Sequence, residues 1–297
     1  MQKNIFFAFL LLILSSFFWS GNFFSGKLAF NNDLSPFKLS FFRWLLAFVI
    51  LFPFTIQSIY KNIDIFKKNK FLIISVSILG VTIFNSFTYI SLQTTLVINA
   101  SIMGSIAPLL IIGFSWIIFK TKTSFFQFFG IFLSLFGVLF IILKGNIYNL
   151  INLYFIPGDI WMFVAVLCWG LYSVLLKKID LRLPQLSTLE VMIFIGLICI
   201  FPFYFLESLN EGFFPNKKID YFIISYVGVF AGIFAFFCWN KGVSLIGANR
   251  AGFFLNLIPV FSSIWAISFL NEKFSLFHIF GAIFIIFGII LSNFKRA

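Results

Sequence analysis

Asn22, Asn85, Tyr89, Asn99, Ser101, Tyr172, Ser173, Asn240 and Asn256 are hydrogen-bonding side chains set inside long apolar runs. A polar group in such surroundings is costly unless it is paired, so each marks either a wet cavity or a bond between neighbouring helices. Their chemistry is recognition by amides and hydroxyls. Acid–base and metal chemistry have little support. The chain has one histidine, His278, and no paired carboxylates within the apolar runs. Cys168, Cys199 and Cys238 stand apart, with no metal-ligand spacing and no disulfide framework. No catalytic residue, metal or cofactor is therefore expected, and an enzyme is the weakest reading.

The elements that position these residues follow from composition. Hydrophobic residues make up 61% of the 297 residues and charged residues 10%. A soluble protein is about a quarter charged, so this chain cannot cover a surface facing water. Ten apolar runs are readable, at about 5–28, 37–57, 71–92, 96–119, 125–144, 157–177, 187–207, 220–240, 248–270 and 275–294. Each is long enough to cross a bilayer as a helix. The expected class is all-α integral membrane, and an outer-membrane barrel is excluded because its strands alternate every second residue. Most of the 50 phenylalanines are expected to face lipid or to pack. The first run has no A-x-A-like cleavage site and reads as a retained span.

The net charge of +12 is distributed as bilayer orientation requires and does not point to nucleic acid. With the N-terminus inside, 14 Lys and Arg residues lie at cytoplasmic ends, among them Lys3, Lys61, Lys67, Lys120, Lys177, Lys241, Lys295 and Arg296. Six lie outside: Lys27, Lys38, Lys144, Lys217, Lys218 and Lys273, with Arg43 inside a span. That bias places both termini in the cytoplasm.

The chain also repeats itself. At an offset of 151, Pro108 falls on Pro259, Ser124 on Ser275, Gly130 on Gly281 and Gly137 on Gly288. Trp19 matches Trp169, and Pro36 and Pro53 match Pro184 and Pro202, at offsets of 148–150. Five spans per copy is an odd number, so the second copy enters the membrane from the opposite side. An inverted repeat of this kind predicts alternating access, with substrate near the midplane between residues 1–146 and 157–295.

At "WSGNFFSGKLAF…SPFKLSFFRW" with "TTLVINASIMGSIAPLL", and again at "GDIWMFVAVLCWGLYSVLLKK" with "WNKGVSLIGANRAGFFLNLIPVFSSIWAISFLNEKFS", the chain resembles the EamA branch of the drug/metabolite transporter superfamily. The resemblance implies a ten-helix carrier in a bacterial cytoplasmic (inner) membrane, exporting amino acids or other small metabolites. It also implies a central cavity on spans 1, 3, 4, 6, 8 and 9, and it places Lys241 beside that cavity. The acid usual after the fourth span is replaced by Lys120-Thr121, whereas Glu272 is kept in the second half.

The candidate substrate-binding residues are Trp19, Asn22, Asn85, Tyr89, Asn99, Ser101, Trp169, Tyr172, Ser173, Trp239, Asn240, Lys241 and Asn256. For each the alternative is a bond that only holds helices together. Pro108 and Pro259 read equally as hinges beside the site or as fixed packing kinks. Gly130, Gly137, Gly281 and Gly288 read as a close helix contact in a scaffold without substrate. Arg43 reads as a snorkelling anchor or an inter-helix partner. Glu190 reads as a proton-coupling group or as a partner for Arg182 or Lys178. The expected partners are a small neutral or zwitterionic solute and the bilayer; oligomeric state is not legible. A channel-like or facilitative permease is the alternative function, though it calls for a continuous polar lining.

Overall fold

The computed structural model describes residues 2–95, 97–151, 156–180, 182–269 and 275–293, and all regular structure in them is helical. Glu272, Lys273, Lys295 and Arg296 lie outside the described residues, as do the side chains of Lys3 and Ser101. The first half contains α1 (Gln2–Asn31), α2 (Pro36–Lys61), the short α3 (Ile63–Lys68), α4 (Lys70–Val76), α5 (Phe84–Thr94), α6 (Val97–Ser105), α7 (Ala107–Phe119) and α8 (Phe125–Ile142). The second contains α9 (Pro157–Leu175), α10 (Gln185–Glu211), α11 (Lys218–Gly228), α12 (Ala235–Ile246), α13 (Ala248–Gly252), α14 (Leu257–Phe269) and α15 (Leu276–Asn293).

Local chemistry sets the ends. Pro36 and Pro157 open α2 and α9, where the missing N–H costs nothing. Ser124 and Gln127 form a reciprocal cap on α8, with bonds of 3.2 and 3.0 Å. Gly247 closes α12 at φ +85°, a conformation that favours glycine.

Nine helical stretches among the described residues are long and apolar enough to span a membrane. The run 248–270, expected as one span, is divided instead into α13, a 3₁₀ turn at Phe253–Asn256 and α14. Pro259 has no N–H to give the Leu255 carbonyl, and the turn before it tightens accordingly. The run 96–119 breaks in the same way at Ile106, two residues before Pro108. A further feature had no sequence signal. α4 and α5 are joined through a π-helical segment, Ser77–Ile83, and α11 and α12 through another, Val229–Phe234. The two sit at the same offset of 151–152 as the repeat.

The halves interleave. α1 packs on α12 and α14, α9 packs on α5 and α7, α2 on α10, and α8 on α15. Exchanging the halves turns each of these pairings into another of the set or into itself. In α8 and α15 the fit is backbone to backbone. A Cβ on Gly130 would stand 2.6 Å from the Gly288 carbonyl oxygen, and one on Gly137 would stand 2.6 Å from that of Gly281. The two helices therefore run in opposite directions, held by van der Waals contact that only small residues permit. Phe54, Phe125, Phe128, Phe132, Phe136, Phe203 and Phe222 are among the large apolar side chains left exposed, a surface suited to lipid.

Candidate functional site

A cavity of about 50 Å³ lies where the two halves meet. α1 contributes Trp19, Asn22 and Phe23, and α5 contributes Phe84. Gly104, Ser105 and Ala107 come from the broken α6–α7 pair, and Met162, Val166 and Trp169 from α9. Leu255, Ile258 and Pro259 come from the turn before α14 and from α14 itself. The volume suits a few ordered waters and falls well below the roughly 300 Å³ of small-molecule sites, so the walls must move to admit a solute.

Its floor is aromatic. Trp19 and Trp169 meet edge to face with ring centroids 4.9 Å apart. Trp239 lies 5.6 and 5.5 Å from them, and Phe236 lies 5.6 and 5.5 Å from them on another side. The Trp19 indole donates to the carbonyl of Ala231 at 3.0 Å, inside the second π segment. A π turn widens the helical ladder and leaves carbonyls available to such donors. In the first π segment the Asn85 amide serves the Gly80 carbonyl at 2.8 Å.

Behind the Asn22 wall lies a buried polar network. Tyr89 donates its hydroxyl to Asn22 Oδ1 at 2.9 Å. Arg43 Nη1 donates to Asn85 Oδ1 at 2.8 Å, to Asn22 Oδ1 at 3.3 Å and to the Tyr89 hydroxyl. Arg43 does not snorkel: it is fully buried, with its guanidinium 4.7 Å from the centre of the Trp44 ring. The amides on α1 and α5 draw the cation inward.

On the opposite side of the floor Trp169 lies tilted against Tyr172 at 5.0 Å, and Tyr172 donates its hydroxyl to Asn240 at 2.7 Å. Asn240 lines a second cavity of about 20 Å³ with Asp180, Gln185, Thr188 and Ser244. Asp180, beyond the end of α9, is bonded to Arg182, which holds its carboxyl at about 2, below the ordinary carboxylate range. Trp169 and Tyr172 thus separate two cavities.

Of the residues singled out from sequence, Trp19, Asn22, Trp169 and Pro259 line the first cavity, and Asn240 lines the second. Asn85, Tyr89, Tyr172 and Trp239 form the layer behind them. Pro108 packs against Gly252, and its neighbours Gly104, Ser105 and Ala107 reach the wall. Others point elsewhere. Asn99 donates to Asp159 at 3.1 Å, and Ser173 donates to the carbonyl of Trp169 at 2.8 Å on its own helix. Asn256 donates to Ser134 of α8 at 2.8 Å. Lys241 is half-buried and forms no salt bridge among the described residues.

Glu190 does not pair with Arg182 or Lys178. Arg182 is taken by Asp180, and the Lys178 ammonium lies 5.5 Å from the Phe119 ring centre. Glu190 is instead buried on a helix that packs against α2, α4 and the first π segment. Asp159, which sequence reasoning passed over, accepts from Thr95 at 2.8 Å and from the Ile156 N–H at 3.0 Å as well as from Asn99. Its signal was an acid in the first turn of an apolar run; that it also ties α9 to the α5–α6 connection was not legible.

The profile of the EamA-like transporter family matches residues 6–143 and again 156–294. An uncharacterized transporter of Archaeoglobus fulgidus is 27% identical over 288 residues, covering 97% of each chain. The uncharacterized transporter YyaM of Bacillus subtilis is 29% identical over 229 residues, covering 76% of this chain and 74% of its own. A crystal structure with 16% sequence identity shares the fold at a TM-score of 0.73 over 96% of both chains. Both halves of this chain, meeting around one cavity, belong to the EamA-like transporter family, in a multi-pass membrane protein.

Proposed function

We propose that this transporter moves small neutral or zwitterionic metabolites, such as amino acids, by alternating access, and that it works as an exporter. Its frame is two inverted five-helix repeats, residues 1–146 and 157–295, with ten spans in all. The observation that carries this reading is the cavity wall, to which each half brings its tryptophan and its proline-broken span. The α8–α15 contact supplies a fixed axis, since each glycine pair in it is converted into the other when the halves are exchanged. Motion about that axis opens one cavity while it closes the other.

A bacterial cytoplasmic membrane with both termini inside fits the pairing of the basic residues. Lys217 bonds Asp33 at 2.9 Å and Lys38 lies 3.7 Å from Glu211, so two of the few outer lysines carry partners. A channel-like permease is less well served, because the aromatic floor interrupts any polar path between the cavities. Counterflow of radiolabelled neutral amino acids into liposomes containing purified protein tests the reading. Saturable uptake driven by unlabelled solute inside is expected. Non-saturable flux would indicate a channel, and its absence for every neutral amino acid would remove the substrate assignment.

A further inference from the structure

Arg43 is a cation sealed within the helical bundle without a counter-ion. None of it is exposed, and no carboxylate among the described residues pairs with it. A buried charge in that position is expensive until an opposite charge meets it. Its hydrogen bonds all fall on one nitrogen: Nη1, with two hydrogens, is shared among Asn85, Asn22 and Tyr89. Nε and Nη2 have no acceptor. Those two nitrogens form the side-on edge of the guanidinium, whose parallel N–H groups match the two oxygens of a carboxylate. The Trp44 ring at 4.7 Å offsets part of the cost of the charge but accepts from neither orphan donor.

Reaching this edge requires its surroundings to move: Nη2 faces Gly232 in the second π segment, where a Cβ would already stand in contact at 3.8 Å. Asn22 lies between the guanidinium and the cavity, and its 3.3 Å bond is the longest that Arg43 makes. Asn22 Oδ1 also receives the Tyr89 hydroxyl, so it stays satisfied when Arg43 is drawn away. The repeat supplies no second copy of the cation. At offsets of 148–150, position 43 falls on Val191, Met192 and Ile193, so the charge marks one side of the cavity only.

We propose that Arg43 binds a carboxylate of the transported solute, which makes the substrates small carboxylate-bearing molecules, amino acids among them. The inference rests on the transporter reading above and redefines its solutes by the carboxylate, which zwitterions and monoanions share. A carboxylate passing Asn22 takes the open edge with both oxygens and supplies the missing negative charge. An amine of the same shape lacks that group and brings a like charge towards the cation.

The test uses leucine, 4-methylpentanoate and isopentylamine, three solutes with one apolar body. Each is assayed by thermal stabilisation of purified protein and by inhibition of leucine counterflow in liposomes. Both carboxylates should stabilise the wild type, whereas the amine should not. The R43Q protein should lose affinity for the carboxylates by about thirtyfold or more, the low end of the loss when a buried charge pair is cut. R43K keeps the charge but not the fork and should lose most of that affinity too. It serves as the readout should R43Q fail to fold. If the amine binds as well as leucine, or if R43K binds the carboxylates at wild-type strength, the inference is overturned while transport stands. Carboxylate binding that depends on Arg43 without flux would keep the inference and remove the transporter reading. Binding of none of the three solutes would overturn the inference.

Discussion

Trp19 and Trp169 occupy matching places in the two halves and touch edge to face, 4.9 Å between ring centroids, at the floor of the cavity. Their indole nitrogens have different fates. That of Trp19 bonds the Ala231 carbonyl, whereas that of Trp169 makes no hydrogen bond among the described residues and belongs to the cavity wall. A buried indole donor seeks a partner, and a solute bound in the cavity that Trp169 lines is expected to supply one. Trp169→Phe keeps the ring stack and deletes this donor. The apparent transport constant should rise several-fold, about 1 kcal/mol for one neutral hydrogen bond, with membrane expression unchanged. An unchanged constant in the uptake assay would leave Trp169 a packing residue.

The glycine contacts predict a stability effect with a built-in control. Gly137→Ala forces a methyl group against the Gly281 carbonyl and should cost about 1–3 kcal/mol, as overpacking does. Gly113→Ala, on α7, meets nothing within 4 Å and should be neutral or stabilising. Thermal unfolding of the two purified variants reads the difference.

The broken spans predict a kinetic effect. Pro108 and Pro259 hold two turns at the cavity wall, and replacing either with Ala restores a backbone donor that favours a continuous helix. Turnover should slow, while solute binding changes by less than about tenfold, or about 1.4 kcal/mol. Lost binding in a folded variant would make the prolines part of the site. Wild-type turnover in both would make them packing features.

Topology is open to a direct check. In a variant without Cys168, Cys199 and Cys238, single cysteines at Asp64 and Asp180 should react with an impermeant maleimide only from the cytoplasm. A cysteine at Phe214, which is 69% exposed, should react only from outside. Labelling of all three from one side would contradict an inverted repeat.

Much of this architecture can be read from residues alone. Apolar run length locates the spans, and the offset of 151 locates the paired prolines and tryptophans. The seven-residue glycine spacing anticipates the close contact of α8 and α15, because small residues on one helical face have few other uses. Other features depend on partners distant in sequence. Asn256 looks like a cavity residue until Ser134 is found opposite it. Arg43 reads as an anchor or as an inter-helix partner until the amides of α1 and α5 are found bonded to it, which favours the second. The π segments carry no pattern at all: Ser77–Ile83 and Val229–Phe234 read as ordinary helix, and a local bond from Asn85 and a tertiary one from Trp19 accompany their free carbonyls.

The most direct test of alternating access concerns the Tyr172–Asn240 bond, which closes the floor between the two cavities. A cysteine at Val166, in the wall of the first cavity, is probed with an impermeant thiosulfonate from each side of oriented vesicles, with and without Tyr172→Phe. The account predicts that removing the hydroxyl speeds modification from the Asn240 side and slows it from the other, because one opening closes as the other forms. A rise from both sides together, or accessibility from one side alone in both proteins, would contradict it.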